Sequence, residues 1–455
     1  MKNIRKIFAV MIVCLVASAC DEQLDLKPKS AIGENAFYNN TTEVEAAVLG
    51  IYDGFQESIQ REFAITEMRS DNTKTKSSEG DWAQFETMNV RPTNAAISSY
   101  WSGMYNVIFR ANNVLENLEA VSEDNIRLQF EGEAKFGRAL AHFNLVRAYG
   151  AIPKVDRTLS VLDEQAVTRV AVDEILAFVA TDLTEAIPNL PARSAAQEGR
   201  ATVAAAKALL AKVKLRQSDY SGALTLLDEV IADTEYSLIE DYNDVFYNEL
   251  NAEIIFAIQF LNDVDAESQD FSYEFTQLGS TSGLNYITDD FDAFIDPLET
   301  ERSAVLYSPS NSSEVGKFIT SSTNNVLCGN DWVVLRLADV YLMKAEAILA
   351  GAGSTTSTTA IEAYNRTRAR SGMSTLPEDG SATLTLDQLL DERRVELAFE
   401  NHRFYDLVRT GKAEEVLGAF AADNGFAFDA TKLLLPIPQR EIDTSFGKLK
   451  QNPGY

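Results

Sequence analysis

The chain has 455 residues, 45% hydrophobic and 24% charged, with 68 acidic side chains against 40 basic ones and a net charge of −28. This is globular composition in a chain long enough to bury a large core, which excludes disorder as the main state. The negative field, with no basic run to offset it locally, excludes nucleic acid as a partner. Two histidines and three cysteines leave few means for acid–base, nucleophilic or metal chemistry.

Lys2, Arg5 and Lys6 precede an uncharged run over 7–17 that closes on Ala17-Ser18-Ala19-Cys20. This is the pattern of a secretory signal peptide over residues 1–19. Ala17-x-Ala19 suits ordinary signal peptidase, whereas a cysteine directly after a small residue suits lipoprotein processing with Cys20 as the lipidated first residue. Lipidation is the preferred reading, because Cys20 is otherwise an unexplained exposed thiol. Cys14 leaves with the signal, so Cys328 stands alone, no disulfide is expected, and Cys328 reads as a small apolar filler. No later stretch reaches the length of a transmembrane helix.

A tether over 20–42 contains Leu24, Leu26 and Pro28. Helical periodicity then takes over. Val44, Ala47, Val48, Ile51 and Phe55 form one apolar stripe and predict a helix over 43–57. Trp101, Tyr105, Ile108, Ala111 and Leu115 predict another over 100–118, and Ala134, Leu140, Phe143, Leu145 and Val146 a third over 130–149. Gly150 followed by Pro153 is a helix stop. Residues 202–232 have the small-residue spacing of a tetratricopeptide helix pair at Leu210, Ala211, Tyr220, Ala223 and Leu227, although Lys214 stands where that pattern wants an aromatic. A second pair is predicted over 337–370, with Ala345 and Ala360 in the small positions. Residues 253–260 are β-branched and aromatic and predict a short strand. Periodicity fails over 69–93 and 262–330. Aromatics at Phe271, Tyr273, Phe275, Tyr286, Phe291 and Phe294 argue against disorder in the longer of these. The expected organisation is a helical repeat scaffold over 43–261, an insertion over 262–330 and a C-terminal helical part over 331–455.

Paired cysteines and a His-Glu-x-x-His sequence are both absent. Asn262-Asp-Val-Asp-Ala-Glu resembles the start of a calcium loop but lacks glycine at its sixth position and glutamate at its twelfth, so no metal site is expected. Glu396 and Glu400 share a helix face and are the nearest thing to a hydrolytic carboxylate pair. Arg393, Arg394, Arg403 and Arg409 crowd them, which suits ionised, salt-bridged carboxylates. His142 and His402 read as scaffold residues. No catalytic residues and no cofactor are expected.

Several blocks resemble the SusD/RagB family of nutrient-binding outer-membrane lipoproteins. They are Tyr100-Trp-Ser-Gly-Met-Tyr and its continuation to 112, residues 132–150, residues 332–347 beginning Trp332-Val-Val-Leu-Arg-Leu-Ala-Asp, and Glu392-Arg-Arg-Val-Glu-Leu through the Arg403-Phe-Tyr-Asp-Leu-Val-Arg-Thr-Gly block. The ending Leu435-Pro-Ile-Pro with Gln451-Asn-Pro-Gly-Tyr completes the set. Their order is the family's, and Asp21 and Glu22 after the cysteine resemble the acidic signal of surface lipoproteins. The resemblance implies a mostly α, SusD-like fold built on tetratricopeptide-like helix pairs, with irregular ligand-binding insertions and a few short strands. It also implies a SusC-like TonB-dependent outer-membrane transporter as partner, and an oligosaccharide, polysaccharide or peptide as ligand, bound without catalysis.

Sugar rings stack their apolar C–H faces on aromatic side chains, while their hydroxyls need polar partners, so aromatics on irregular segments are the informative ones. Trp101 and Trp332 lie on or at the head of helical stripes and read as core. Trp82, without periodic neighbours, is the candidate binding platform, with Asp71 and Asn72 as hydroxyl partners. The resemblance also places ligand aromatics in the insertion before the Leu-Arg-Leu-Ala block, where Tyr273, Phe275 and Tyr286 are the candidates. Two alternatives stay open: a secreted helical glycoside hydrolase, and a helical scaffold that binds only protein.

Overall fold

The computed structural model describes residues 37–76, 80–160, 163, 167–276 and 285–455. The signal peptide and the Cys20 lipidation site lie outside the described residues. The fold is mostly helical, as expected. Helices α1 (Thr41–Ile59), α2 (Ala95–Glu116), α3 (Asp124–Tyr149), α4 (Val172–Ala186), α5 (Val203–Arg216) and α6 (Tyr220–Ile231) pack each on the next, except that α1 and α2 also share α3. Helix α7 (Leu337–Leu349) packs on α6, and α8 (Thr358–Arg370) and α9 (Leu386–Glu396) pack on α7. Two shorter helices, α10 (Arg403–Arg409) and α11 (Ala413–Asp423), follow.

The stripes that predicted the helices are the faces they bury. Val44, Val48, Ile51 and Phe55 of α1 are sealed in one core with Trp101, Val107 and Ile108 of α2 and Ala134, Leu140 and Phe143 of α3. Close approach between these helices depends on two glycines. A Cβ on Gly137 would lie 2.5 Å from Ile51 Cγ2, and one on Gly103 would lie 2.4 Å from Ser58 Oγ. The helix starts are capped where short polar residues precede them: the Asn40 side chain accepts from Glu43 N at 3.1 Å, and Asn94 from Ala96 N at 2.9 Å. The Asn94 cap starts α2 several residues before the predicted boundary. Helix α3 likewise starts ahead of its predicted boundary, at Asp124, with Ile126 already packed against the core.

Both predicted helix pairs are present. In the first, Asp219 accepts from Gly222 N at 3.0 Å and opens α6 after a tight turn from α5. In the second, Ala350 in the left-handed region (φ 51°) ends α7. The predicted strand is Ile254–Ile258, which pairs antiparallel with Trp332–Arg336 and closes the base of the 262–330 insertion.

That insertion is more ordered than its sequence suggested. It carries short helices at Phe271–Thr276, Asp289–Phe294 and Thr300–Leu306. A four-stranded sheet joins Thr73–Lys74, Tyr286–Ile287, Asn311–Val315 and Tyr307–Ser308, so the two irregular stretches are stitched together. Phe271, Phe275, Phe291 and Phe318 are all buried, and Trp332 packs against Phe271 and Phe318 at 5.0 and 5.5 Å between ring centroids. Trp101 and Trp332 are core, each 3% exposed. Cys328 is buried and free, its thiol donating to Asn325 O. Among the described residues no helix is long and apolar enough to cross a membrane.

Candidate functional site

The Glu396–Glu400 pair lies in a buried lattice of ions. Arg336 reaches Glu253 at 2.8 Å, Glu396 at 2.6 Å and Glu400 at 2.6 Å, while Arg302 reaches Glu299, Glu392 and Glu396 at 2.6, 2.7 and 3.1 Å. Lys317 contacts Glu400 at 2.6 Å, and Arg370 contacts Glu253 and Glu396. Burial pushes the Glu396 carboxyl up, and the guanidiniums of Arg370, Arg336 and Arg302 more than reverse it, so it stays below the usual carboxylate range. A carboxylate held this way is a structural anchor and not a proton donor. Burial likewise pushes His142 down to about 4 and His402 to about 3, leaving both neutral. His142 sits against Arg138 O at 2.9 Å, as a scaffold residue does. Asp263, from the calcium-like sequence, accepts from Ser322 Oγ and from the Thr323 and Asn324 amides, so its carboxylate is tied to the distant 322–324 segment.

The candidate ligand residues divide sharply. Trp82 is half-buried at the head of the short helix Ala83–Glu86. Its indole stacks on Phe63 with centroids 6.0 Å apart and planes within 15°. Phe63 rests in turn on Phe275 at 5.4 Å. The ring is thus held from beneath by core aromatics, with part of its surface left to solvent. The Arg61 guanidinium carbon lies 6.0 Å from its centroid, and Arg61 is anchored to Asp270 at 2.7 Å.

A cleft of about 310 Å³ opens here, lined by Arg61, Asp81, Trp82, Asn94, Ala96 and Ser99. Gln84 Nε2 donates to Asp81 Oδ1 at 2.6 Å, and Asn94 Nδ2 donates to Asp81 O at 2.9 Å, so the rim is set in place. An aromatic face bordered by a fixed guanidinium, a carboxylate and a hydroxyl can stack a sugar ring and bind its hydroxyl edge. Arg61, Asp81 and Ser99 were not legible as site residues. They are single polar residues without periodicity, and only folding brings them beside the indole.

Three candidates are corrected. Asp71 is 2% exposed, and both its oxygens are taken by Arg403, at 2.9 and 2.8 Å, with Arg394 at 3.1 Å. Asn72 is fully buried; its Oδ1 accepts from Arg394 Nε at 3.0 Å and its Nδ2 donates to Glu67 at 3.2 Å. Neither can offer a hydrogen bond to a ligand. They bind the 69–75 segment to α9 and α10. Phe275 is also fully buried, in contact with Phe63 and Phe318, so no part of its ring is left for a ligand. It acts on Trp82 only through Phe63. Tyr273 and Tyr286 remain half-buried. Tyr286 pairs with Lys74 across the small sheet, which puts it next to the segment that leads to Trp82.

A second, larger cleft of about 480 Å³ is lined by Tyr52, Gln56, Glu198, Glu249, Glu267 and Asp331 among others. Gln56 bridges its walls, donating to Gln259 O at 2.7 Å and to Glu267 at 3.1 Å. Burial, reinforced by Glu249, pushes the Asp331 carboxyl up to about 8. One Asp331 oxygen accepts from Phe260 N at 3.0 Å; the other is buried without a hydrogen-bond partner among the described residues. No group of three or more His, Cys, Asp or Glu side chains among the described residues is arranged to hold a metal ion.

Comparison with known proteins agrees with this architecture. Residues 313–455 match the profile described as the SusD family, and residues 22–215 match one described as starch-binding associating with outer membrane. A SusD-like protein of Formosa agariphila is 26% identical over 100% of this chain and 99% of its own. A solved laminarin-binding SusD-like protein is 29% identical, covers 92% of this chain and 100% of its own, and superposes with a TM-score of 0.75. The surface glycan-binding protein A from Bacteroides thetaiotaomicron, solved with laminarihexaose, is 22% identical with a TM-score of 0.75, covering 90% of this chain and 99% of its own.

Proposed function

This chain belongs to the SusD/RagB family, and from that membership we propose that it is a surface-exposed, Cys20-anchored lipoprotein that captures oligosaccharide or polysaccharide. In this reading it delivers the glycan to a SusC-like TonB-dependent transporter in the outer membrane. The observation that carries glycan capture is the half-buried Trp82 indole, braced on Phe63 and bordered by Arg61, Asp81 and Ser99. The likeness to the laminarin-binding protein, 29% identical, makes laminarin the first glycan to try. Tyr286 and Tyr273, both half-buried, are the candidates to extend the surface. The test is affinity electrophoresis of the purified chain through gels containing laminarin, xyloglucan or starch. Retardation in at least one gel, lost in Trp82→Ala, is expected. A peptide-binding role is the alternative within the family, and retention by none of the glycans together with retention by a peptide library would favour it.

One observation favours a second reading, hydrolysis. Asp331 stays protonated at neutral pH, as a general acid must, and Glu249 faces it in the same cleft. Glu249 accepts from the backbone amide of Asp331, however, so its carboxylate is engaged by the cleft's own backbone, whereas the second carboxylate of a hydrolytic pair must act on a water or on the sugar. A reducing-end assay with the same polysaccharides decides the matter: no product is expected, and turnover abolished by Asp331→Asn would replace binding with catalysis.

A further inference from the structure

A separate cavity of about 180 Å³ opens on the helical scaffold, between the C-terminal ends of α3 and α5, the start of α4, and α10. It shares no lining residue with the Trp82 cleft. Val146, Leu176, Leu215 and Met343 make its walls apolar.

Its charges run against the rest of the chain. Five cations line it, Arg147, Lys212, Arg216, Arg393 and Arg409, against a single carboxylate, Asp406. Three of the cations are already neutralised. Lys212 pairs with Asp339 at 2.8 Å, Arg393 with Asp339 and Asp406 at 2.8 and 2.7 Å, and Arg409 with Asp406 at 2.7 Å and with Glu346. Arg147 and Arg216 have no carboxylate within ion-pair distance among the described residues.

Arg147 is also held in position. Its guanidinium carbon lies 4.5 Å from the Phe143 ring centroid and 4.3 Å from that of Tyr405, and the group bonds to Asn144 Oδ1. Its Nε is buried without a hydrogen-bond partner. A guanidinium stacked between two rings keeps its plane fixed, so little freedom is lost when it bonds an anion. A carboxylate is the planar monoanion that matches such a fork, and the apolar walls call for a hydrocarbon or aromatic body behind it.

We infer that this cavity binds a small ligand consisting of an apolar body that ends in one carboxylate, with Arg147 as the anchoring cation and Arg216 at the mouth.

The test uses hexanoate and its uncharged analogue hexanamide as probes, with binding to the intact chain followed by ligand-observed NMR titration. Hexanoate should bind saturably, and hexanamide about tenfold more weakly or not at all. Arg147→Gln should lower hexanoate affinity about tenfold or more, and Arg147→Lys should recover part of it. Val172→Trp, at the first residue of α4, fills the cavity by bulk and should abolish binding, which keeps the test decisive if Arg147→Gln does not fold. Equal binding of hexanoate and hexanamide, no binding of hexanoate, or unchanged affinity in both the Arg147→Gln and Val172→Trp proteins would overturn the assignment.

Discussion

Asp71 and Arg403, 332 positions apart in sequence, meet through two parallel hydrogen bonds of 2.9 and 2.8 Å in the interior. Burial alone would push the Asp71 carboxyl up, but Arg403 and Arg394 more than reverse this and hold it below its ordinary value. The pair joins the segment leading to Trp82 to the Arg-rich C-terminal helices. Removing one member leaves the other charged and unpaired in a buried site.

Asp71→Asn should therefore destabilise the protein by about 3 kcal/mol in denaturant unfolding. Because the folded carboxyl titrates below its unfolded value, its contribution is fully present above the unfolded value and is lost as pH falls through the folded one. The difference between variant and wild type should accordingly shrink in acid. Equal unfolding midpoints at neutral pH would contradict a stabilising role.

Trp82 and Phe275 separate binding from support. Trp82→Ala should lower glycan affinity several-fold and leave thermal unfolding close to that of wild type, since its indole is half-buried. Phe275→Ala should cost about 3–5 kcal/mol of stability by opening a cavity under Phe63. Isothermal titration and denaturant melts of the two variants check this division. Retained glycan affinity in a folded Trp82→Ala protein would remove the indole from the site.

Asp331 has the opposite pH signature to Asp71. Its folded carboxyl titrates at about 8, above the unfolded value, so the native state holds a proton that the unfolded chain gives up. Its presence thus becomes progressively more destabilising as pH rises from about 4 to about 8 and constant beyond. Asp331→Asn, which keeps an oxygen for Phe260 N, should melt close to wild type near pH 4 and higher than wild type near pH 8. Parallel melting curves across that range would show that the carboxyl is not perturbed.

Cys20 carries the anchoring half of the proposed function. Cys20→Ala in cells of the native type should shift the protein out of the outer-membrane fraction. A variant that stays in that fraction would contradict lipid anchoring.

Helices and their buried faces were legible because a repeat of 3.6 residues is a local property, written within each segment by Val44, Val48, Ile51 and Phe55 or by Trp101, Ile108 and Ala111. The same is true of the strand at 253–260. That Glu396 and Glu400 are salt-bridged was read from Arg393, Arg394, Arg403 and Arg409 nearby in sequence, but the cations that hold them are Arg302, Lys317, Arg336 and Arg370, which only folding brings there. Family membership was equally local, carried by blocks such as 332–347 and 392–411. What each polar or aromatic residue of the aperiodic segments would face was a different kind of question. Asp71 and Asn72 look like free hydroxyl partners until Arg403 and Arg394 arrive from the far end of the chain, and Phe275 looks like a platform until the core that holds Phe63 and Phe318 buries it. Tertiary structure alone decided that Trp82 keeps part of its surface to solvent, that Arg61 and Asp81 flank it, and that Arg147 meets no carboxylate among the described residues. The reason is that burial and ion pairing depend on which distant groups converge, and neither composition nor spacing records that convergence.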